Sequence, residues 1–118
     1  MKRFKFRLQR VLEYRNSIKK EKERELALRN AELHAAEDRL KQIVEMQDSV
    51  PLVGDEMSMA ELILRGDYLR YLQESLIMQR LLVHEAAEAV DEAREAYVEK
   101  AVEAESLESL KKKKLNEY

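Results

Sequence analysis

Residues 62–107 read LILRGDYLRYLQESLIMQRLLVHEAAEAVDEAREAYVEKAVEAESL, and this stretch decides the fold. One apolar series recurs every seven residues and comprises Leu62, Leu69, Leu76, Val83, Val90, Tyr97 and Ala104. The alternate core position is held by Leu72, Gln79, Ala86, Ala93 and Leu107. Apolar side chains repeated in this way over about six heptads predict a long helix that packs in a coiled coil.

The composition of the whole chain agrees with that prediction. Of its 118 residues 39% are charged, and there are only two Gly, one Pro, no Trp and no Cys. Such a balance is typical of long helices and coiled coils. The lack of Cys excludes a disulfide framework and a thiolate zinc site. The basic start is not followed by an apolar core like that of a signal peptide, and no window predicts a membrane span.

The segment upstream of the only proline predicts a first helix over about 8–49. It contains no Gly or Pro, and its apolar residues recur three or four positions apart. Val11 and Ile18 set one heptad phase, whereas Leu26 and Leu33 set another. The eight-residue step between the two phases predicts a four-residue stutter in the repeat.

A turn is predicted over about 50–58, where Pro51 disfavours helical geometry in the residue before it. Ser58 and Glu61 then have the spacing of a capping box, so a second helix is expected over about 59–115. A kink or a later start of this helix at Asp67 is the alternative, because Gly66 costs a helix about 1 kcal/mol relative to Ala.

Two long helices joined by a short connection fold back on each other. The predicted fold class is therefore all-α, with two long helices that form an antiparallel coiled-coil hairpin and a single domain over 1–118. A turn centred near residue 54 pairs positions whose numbers add up to about 108, for example Leu33 with Leu76. In that register the residues after Ala104 have no partner and overhang.

Charge is distributed unevenly along the chain. Residues 1–29 carry 11 basic and 4 acidic side chains, and residues 110–118 carry four and one. The intervening segments 30–66 and 67–109 have net charges of −5 and −7. An antiparallel hairpin brings the two basic chain ends together.

Residue patterns for catalysis or for binding a metal or cofactor are not found in the sequence. His34 and His84 do not follow the Glu-x-x-His spacing of di-iron carboxylate sites. Gly54 and Gly66 are isolated, which excludes a phosphate-binding loop. The lysine run 111–114 is weak support for nucleic-acid binding in a chain of pI about 5.8. We therefore expect a non-enzymatic protein with no cofactor, no metal and no nucleic-acid partner.

The order of several short motifs resembles the FliJ family, the small coiled-coil component of the flagellar type III export apparatus. The matching positions are Phe4, Phe6, Leu8, Val11, Leu12 and Arg15 at the start, Ala36, Glu37 and Leu40 in the first helix, Tyr68 after the turn, and Glu105, Leu107, Glu108, Leu110 and Lys111 at the end. The chain departs from the family at 103–105, where Glu-Ala-Glu replaces basic residues.

The resemblance implies a stalk that docks into the ring of the export ATPase, FliI, contacts the export gate protein, FlhA, and escorts substrate chaperones. It also implies a cytoplasmic protein that associates peripherally with the cytoplasmic face of the inner membrane. The residues expected at the ATPase-docking end are Phe4, Phe6, Leu8, Val11, Arg15, Leu107, Leu110, Lys111, Lys112, Lys113 and Lys114.

A second apolar stripe lies beside the predicted seam of the second helix. Tyr71, Met78 and Leu82 are spaced seven and four residues apart, one or two positions away from core residues. Met46 of the first helix is expected to lie across from them. Since exposed apolar stripes mark partner surfaces, these four residues are the candidates for contact with the export gate.

Three alternative functions fit the same sequence. One is the equivalent stalk of a virulence-type injectisome, which resembles the flagellar stalk in length and fold. Another is a secretion chaperone, which would bind exported subunits and not the ATPase. The third is a structural coiled coil, which would form stable oligomers at low concentration.

Overall fold

The computed structural model describes residues 3–118, so Met1 and Lys2 of the basic start lie outside the described part. Helix α1 spans Gln9–Asp48 and helix α2 spans Met59–Glu117. The described residues form no strand. The prediction of an all-α antiparallel coiled-coil hairpin is confirmed.

Helix α2 begins directly after Ser58, whose side chain caps it. The Ser58 hydroxyl oxygen accepts a hydrogen bond of 3.2 Å from the backbone N–H of Glu61. This bond satisfies one of the N–H groups that the first turn of a helix leaves without an intrahelical partner. The helix runs on through Gly66, so the alternative start at Asp67 is wrong.

The chain divides into two compact units, each of which contains a part of both helices. Unit 1 is formed by the residues up to Asn30 together with Ala89–Tyr118, and unit 2 by Ala31–Glu88. Within each unit the two helix segments run antiparallel and bury their own apolar seam. That the two units form a single domain over 1–118 stays a prediction.

In unit 2 the seam centres on Ile43, Leu72 and Leu76, which are all buried. The Gln79 side-chain amide donates a hydrogen bond of 3.0 Å to the backbone carbonyl of Ala36. Gln79 occupies a seam position, and a polar side chain there would be costly without a partner. This bond satisfies its amide N–H and at the same time fixes how α1 and α2 are aligned.

The alignment of the helices differs from the predicted register. Gln79 contacts Ala36 and Gln47 contacts Gln73, so partner numbers in unit 2 add up to 115 and 120 and not to about 108. The numbers of the predicted pair Leu33 and Leu76 add up to 109, so the pair is out of register by about 6–11 residues, or about 9–17 Å at 1.5 Å per residue. A symmetric turn centred near residue 54 does not produce this alignment.

The connection between the helices is not a symmetric turn. Its backbone returns along the first turns of α2, where the Arg65 guanidinium donates a hydrogen bond of 2.8 Å to the carbonyl of Pro51. A bond from the N–H of Met57 to the carbonyl of Gly54 closes a tight turn just before the helix. The connection is therefore bonded to the second turn of α2 through Arg65.

In unit 1 the α2 side of the seam is formed by small and branched apolar residues. Val90, Ala93, Ala104 and Leu107 are buried, as the heptad repeat predicts. Because Leu107 is buried, the predicted overhang after Ala104 is wrong. The Arg15 guanidinium donates a hydrogen bond of 3.1 Å to the carbonyl of Glu103, which shows the same shift in register as unit 2.

The α1 side of this seam is largely basic. Leu12 is only 2% exposed, whereas Val11, the predicted seam residue, is 41% exposed. From Leu8 and Leu12 the seven-residue spacing continues without a stutter through positions that are all half-buried, namely Arg15, Lys19, Lys22, Leu26 and Arg29. The stutter was inferred from apolar residues alone, whereas long basic side chains fill seam positions by packing their methylene groups.

Candidate docking surfaces

The two chain ends meet in unit 1. The rings of Phe4 and Tyr118 lie 5.6 Å apart, edge to face, in the arrangement that aromatic pairs prefer. A groove of about 650 Å³ runs between the N-terminal segment and the end of α2. We call its lining the end cluster: Arg3, Phe4, Lys5, Phe6, Arg7, Leu8, Leu110, Lys114, Glu117 and Tyr118.

Half-buried apolar and exposed basic residues alternate along the N-terminal segment, as they do in extended backbone. Phe4, Phe6 and Leu8 are half-buried, whereas Lys5 and Arg7 are exposed. The segment packs on α2 near Leu110 and Tyr118. Apolar contact therefore holds the segment on the helix while its charges face water.

The other predicted docking residues are distributed over different environments. Leu107 is buried within unit 1 and presents little surface to a partner. Lys112, Lys113 and Lys114 are exposed, and Lys111 is half-buried beside a second groove that Phe6 also lines. Lys114 pairs with Glu117 at 3.7 Å, an exposed contact that contributes little to stability.

Val11 and Arg15 lie on a neighbouring surface of unit 1, in a shallow groove with Tyr14 and Lys100. Val11 and Tyr14 are exposed. Arg15 is half-buried and its guanidinium is engaged with the Glu103 carbonyl. Of these two predicted residues, Val11 is the one that offers free apolar surface.

Unit 2 contains a groove of about 650 Å³ beside the connection, which we call the turn-side groove. Its apolar wall includes Met46 from α1, Met57 from the connection, and Leu64 and Tyr68 from α2. Glu45 and Glu61 lie at its polar edge. The structure thus places Met46 in one groove with Leu64 and Tyr68 of α2.

The remaining gate candidates are exposed on α2 in unit 2. Tyr71 and Met78 are 60% and 59% exposed, and Leu82 is also exposed. The Tyr71 ring stacks on that of Tyr68 with centroids 6.5 Å apart. Sequence reasoning missed Tyr68 and Leu64 as members of this surface. Tyr68 lies three residues before Tyr71 and Leu64 four residues before Tyr68, and this helical spacing was the signal that could have found them.

The two units also differ in net charge. Unit 1 carries 17 basic and 12 acidic residues, a net charge of +5. Unit 2 carries 5 basic and 12 acidic residues, a net charge of −7. In the described part of the chain, neither helix has a stretch apolar enough to cross a bilayer. The chain therefore offers a basic, aromatic surface in one unit and an acidic, apolar surface in the other.

The chain was compared with models of known protein families. The family model described as "Flagellar FliJ protein" matches residues 4–118, essentially the whole chain. The chain belongs to the FliJ family. It is accordingly a coiled-coil protein related to flagellar protein export. No curated protein and no solved structure gave a significant match.

The FliJ match begins at Phe4 and ends at Tyr118, the two residues whose rings are in contact. It therefore includes the end cluster of unit 1, except for Arg3, and the exposed apolar residues of unit 2. The similarity to FliJ noted in the sequence is confirmed over this full range. The roles of individual side chains stay predictions.

Proposed function

We propose that this FliJ family member is a non-enzymatic, stalk-like component of the flagellar type III export apparatus. Its paired chain ends dock into the ring of the export ATPase, a FliI-like protein. Its unit 2 contacts the export gate, a FlhA-like protein, and the chain as a whole escorts substrate chaperones. It acts in the cytoplasm, peripherally associated with the inner membrane through the export apparatus.

The end cluster is the observation that carries the ATPase contact. Both chain ends contribute to one groove, in which aromatic rings alternate with basic side chains. Complementary charge speeds encounter with an acidic surface and orients the partners, whereas apolar contact area sustains binding. A ring that accepts this end would present acidic groups around an apolar rim.

A separate surface supports the gate contact. Tyr71, Met78 and Leu82 are exposed in unit 2, whose net charge is opposite to that of unit 1. Two partners of different chemistry can therefore bind one chain without competing for the same side chains. This arrangement fits a protein that links an ATPase to a gate.

Stimulation of the partner ATPase tests the docking role. Deletion of residues 1–7 removes Phe4 and Phe6 and uncovers Leu110. In a second variant, replacement of Lys111–Lys114 by Glu reverses the charge at the end of α2. We expect each change to abolish stimulation of steady-state ATP hydrolysis. Wild-type stimulation should weaken as salt is raised, because exposed charges are screened beyond about 8–10 Å at physiological ionic strength.

Circular dichroism serves as the folding control, since most of each seam lies outside the altered residues. The matched variant is Tyr71→Ser with Met78→Ser, which leaves the end cluster intact. It should keep ATPase stimulation and helicity but lose binding to the gate protein. Full stimulation by both end-cluster variants would contradict the stalk function.

A further inference from the structure

Helix α2 carries a second heptad pattern in unit 2, separate from the seam that faces α1. We call it the outer stripe, and it consists of Leu64, Tyr68, Tyr71, Ser75, Met78 and Leu82. These positions are alternately four and three residues apart. That alternation keeps side chains on one face of a helix and is the spacing by which one helix packs against another.

The chain's own residues leave the outer stripe largely uncovered. Leu64 is 69% exposed, and Tyr68, Met78 and Leu82 are also exposed. The seam positions of the same helix segment, such as Leu72 and Leu76, are buried against α1. In unit 2, α2 therefore has two apolar faces: α1 covers one of them, and the other is exposed.

Acidic side chains run beside the outer stripe. Asp67 lies three residues after Leu64, and Glu74 lies three residues after Tyr71. Glu85 stands in the same relation to Leu82. Residues three or four apart are neighbours on a helix surface, so these carboxylates border the stripe. On the turn-side groove, Glu45 and Glu61 add two further acidic groups.

We propose that the outer stripe binds one amphipathic α-helix of a partner protein, with basic residues flanking its apolar face. The helix would lie along α2 from the turn-side groove to Leu82 and pack by heptad contacts. Residues 64–82 extend about 27 Å, which a partner helix of about three heptads covers. The inference deepens the gate-side contact proposed above and rests on it for the partner's place in the export apparatus.

Charge decides between this occupant and a second copy of the chain. Unit 2 has a net charge of −7, and its acidic residues border the stripe itself. Two copies packed stripe to stripe would bring these like charges together, which is unfavourable. A helix with Lys or Arg at the flanking positions instead forms complementary pairs, as in coiled coils with opposite charges beside the seam.

Two synthetic peptides of about three heptads test the proposal by fluorescence anisotropy against the full-length protein. Both have the same leucine face, and their flanking positions are all Lys in one and all Glu in the other. We expect the Lys peptide to bind at least about tenfold more tightly than the Glu peptide at low salt, with a smaller difference at high salt.

A matched pair of variants locates the binding face. Met78→Ser with Leu82→Ser alters the outer stripe, whereas Ile63→Ser with Ile77→Ser alters two exposed apolar residues of α2 that are not three or four positions from any member of the stripe. The first pair should weaken Lys-peptide binding at least about tenfold and the second should leave it nearly unchanged. Equal loss in both would show non-specific apolar adhesion and overturn the proposal.

Charge reversal gives an independent measurement. Glu74→Lys with Glu85→Lys should invert the preference in favour of the Glu peptide. The control is Glu37→Lys with Asp48→Lys, which changes the net charge equally on exposed positions of α1. An unchanged preference in the first variant would overturn the proposal.

The outcomes also separate this inference from the proposed function. Failure of the Lys peptide to bind, while the gate protein still binds unit 2, would overturn the helical occupant alone. Peptide binding without any gate or ATPase contact would overturn the export function alone. Sedimentation of a dimer that Met78→Ser with Leu82→Ser dissociates would show that a second copy covers the stripe.

Discussion

Gly66 lies inside α2, where a Cβ atom would meet nothing within 4 Å. Alanine at this position should therefore fit without a clash. We expect Gly66→Ala to stabilise the protein by about 0.5–1 kcal/mol, because the unfolded chain loses freedom and the helix loses its weakest residue. A rise of a few degrees in the melting temperature, followed by circular dichroism, is the measurement.

Gly54, in the connection, is the control for that prediction, since a Cβ there also meets nothing within 4 Å but no helix would gain from it. Gly54→Ala should change stability less than Gly66→Ala. A lowered melting temperature for Gly66→Ala would contradict the prediction and would mean that α2 needs glycine at this position to bend.

Leu72 is the opposite case, a side chain that is 1% exposed in the seam of unit 2. Leu72→Ala removes its contacts with α1 and should lower the free energy of unfolding by about 2–5 kcal/mol. Ile77→Ala, on the exposed side of the same helix, should cost about 0.5 kcal/mol or less. Urea unfolding of both variants tests this, and equal effects would place the seam elsewhere.

At the scale of the elements, the alignment of α1 with α2 can be tested by cross-linking. The contacts of Ala36 with Gln79 and of Gln47 with Gln73 place Leu33 beside 82–87 when the register is extended along the helices. Ala86, a half-buried seam residue in that interval, is the suitable partner. Cysteines that replace Leu33 and Ala86 should form a disulfide within one chain, because the extended register places these two seam positions opposite each other.

Cysteines at Leu33 and Leu76 form the matched control, offset by about 9–17 Å along the helices. This pair should stay reduced under the same mild oxidation, as judged by mass and by mobility on a non-reducing gel. Efficient linkage of the control pair would restore the register in which numbers add up to about 108.

The helices and the α2 seam could be predicted from the sequence, whereas the register could not. The heptad series through Leu69, Leu76 and Val90 specifies which face of α2 is buried. Sliding α2 by seven residues along α1 again places apolar positions against apolar positions. The heptad repeat therefore does not distinguish registers that differ by seven residues. The bond from Arg65 to the Pro51 carbonyl lies in the connection, where no periodicity predicts it.

At the scale of the whole molecule, the α1 seam changes in polarity along the chain. In unit 1 its central positions are largely basic, including Arg15, Lys22 and Arg29, whereas unit 2 has Leu33, Ala36, Leu40 and Ile43 at the equivalent positions. Local stability follows the apolar area buried, so it should be lower where charged side chains occupy the seam.

Hydrogen exchange measured by mass spectrometry tests this difference. Backbone amides over 15–29 should exchange faster than those over 33–43, after correction for intrinsic rates with the urea-unfolded protein. Replacing Lys19 and Lys22 by Leu should slow exchange over 15–29. Equal protection of both segments in the wild-type protein would contradict the expected difference.

The candidate surfaces were predicted from the sequence only in part. Phe4, Phe6 and Leu110 were expected at one end and lie in one groove, since the antiparallel fold brings the chain ends together. The contact of Phe4 with Tyr118 was missed, because it depends on the register. Leu64 was missed because it follows Leu62 and Ile63, and only its exposure of 69% shows that it lies outside the seam.

The ring contact between Phe4 and Tyr118 lies where the two chain ends meet, so we expect it to be the first contact that a pull on those ends loads. A pull applied to the two ends in opposite directions acts across the helix axes, so it peels the seam open one layer at a time. A pull along the helices must instead slide many layers at once, and it meets a larger resistance. Force entering through the chain ends therefore loads the aromatic pair first, before any leucine of the seam.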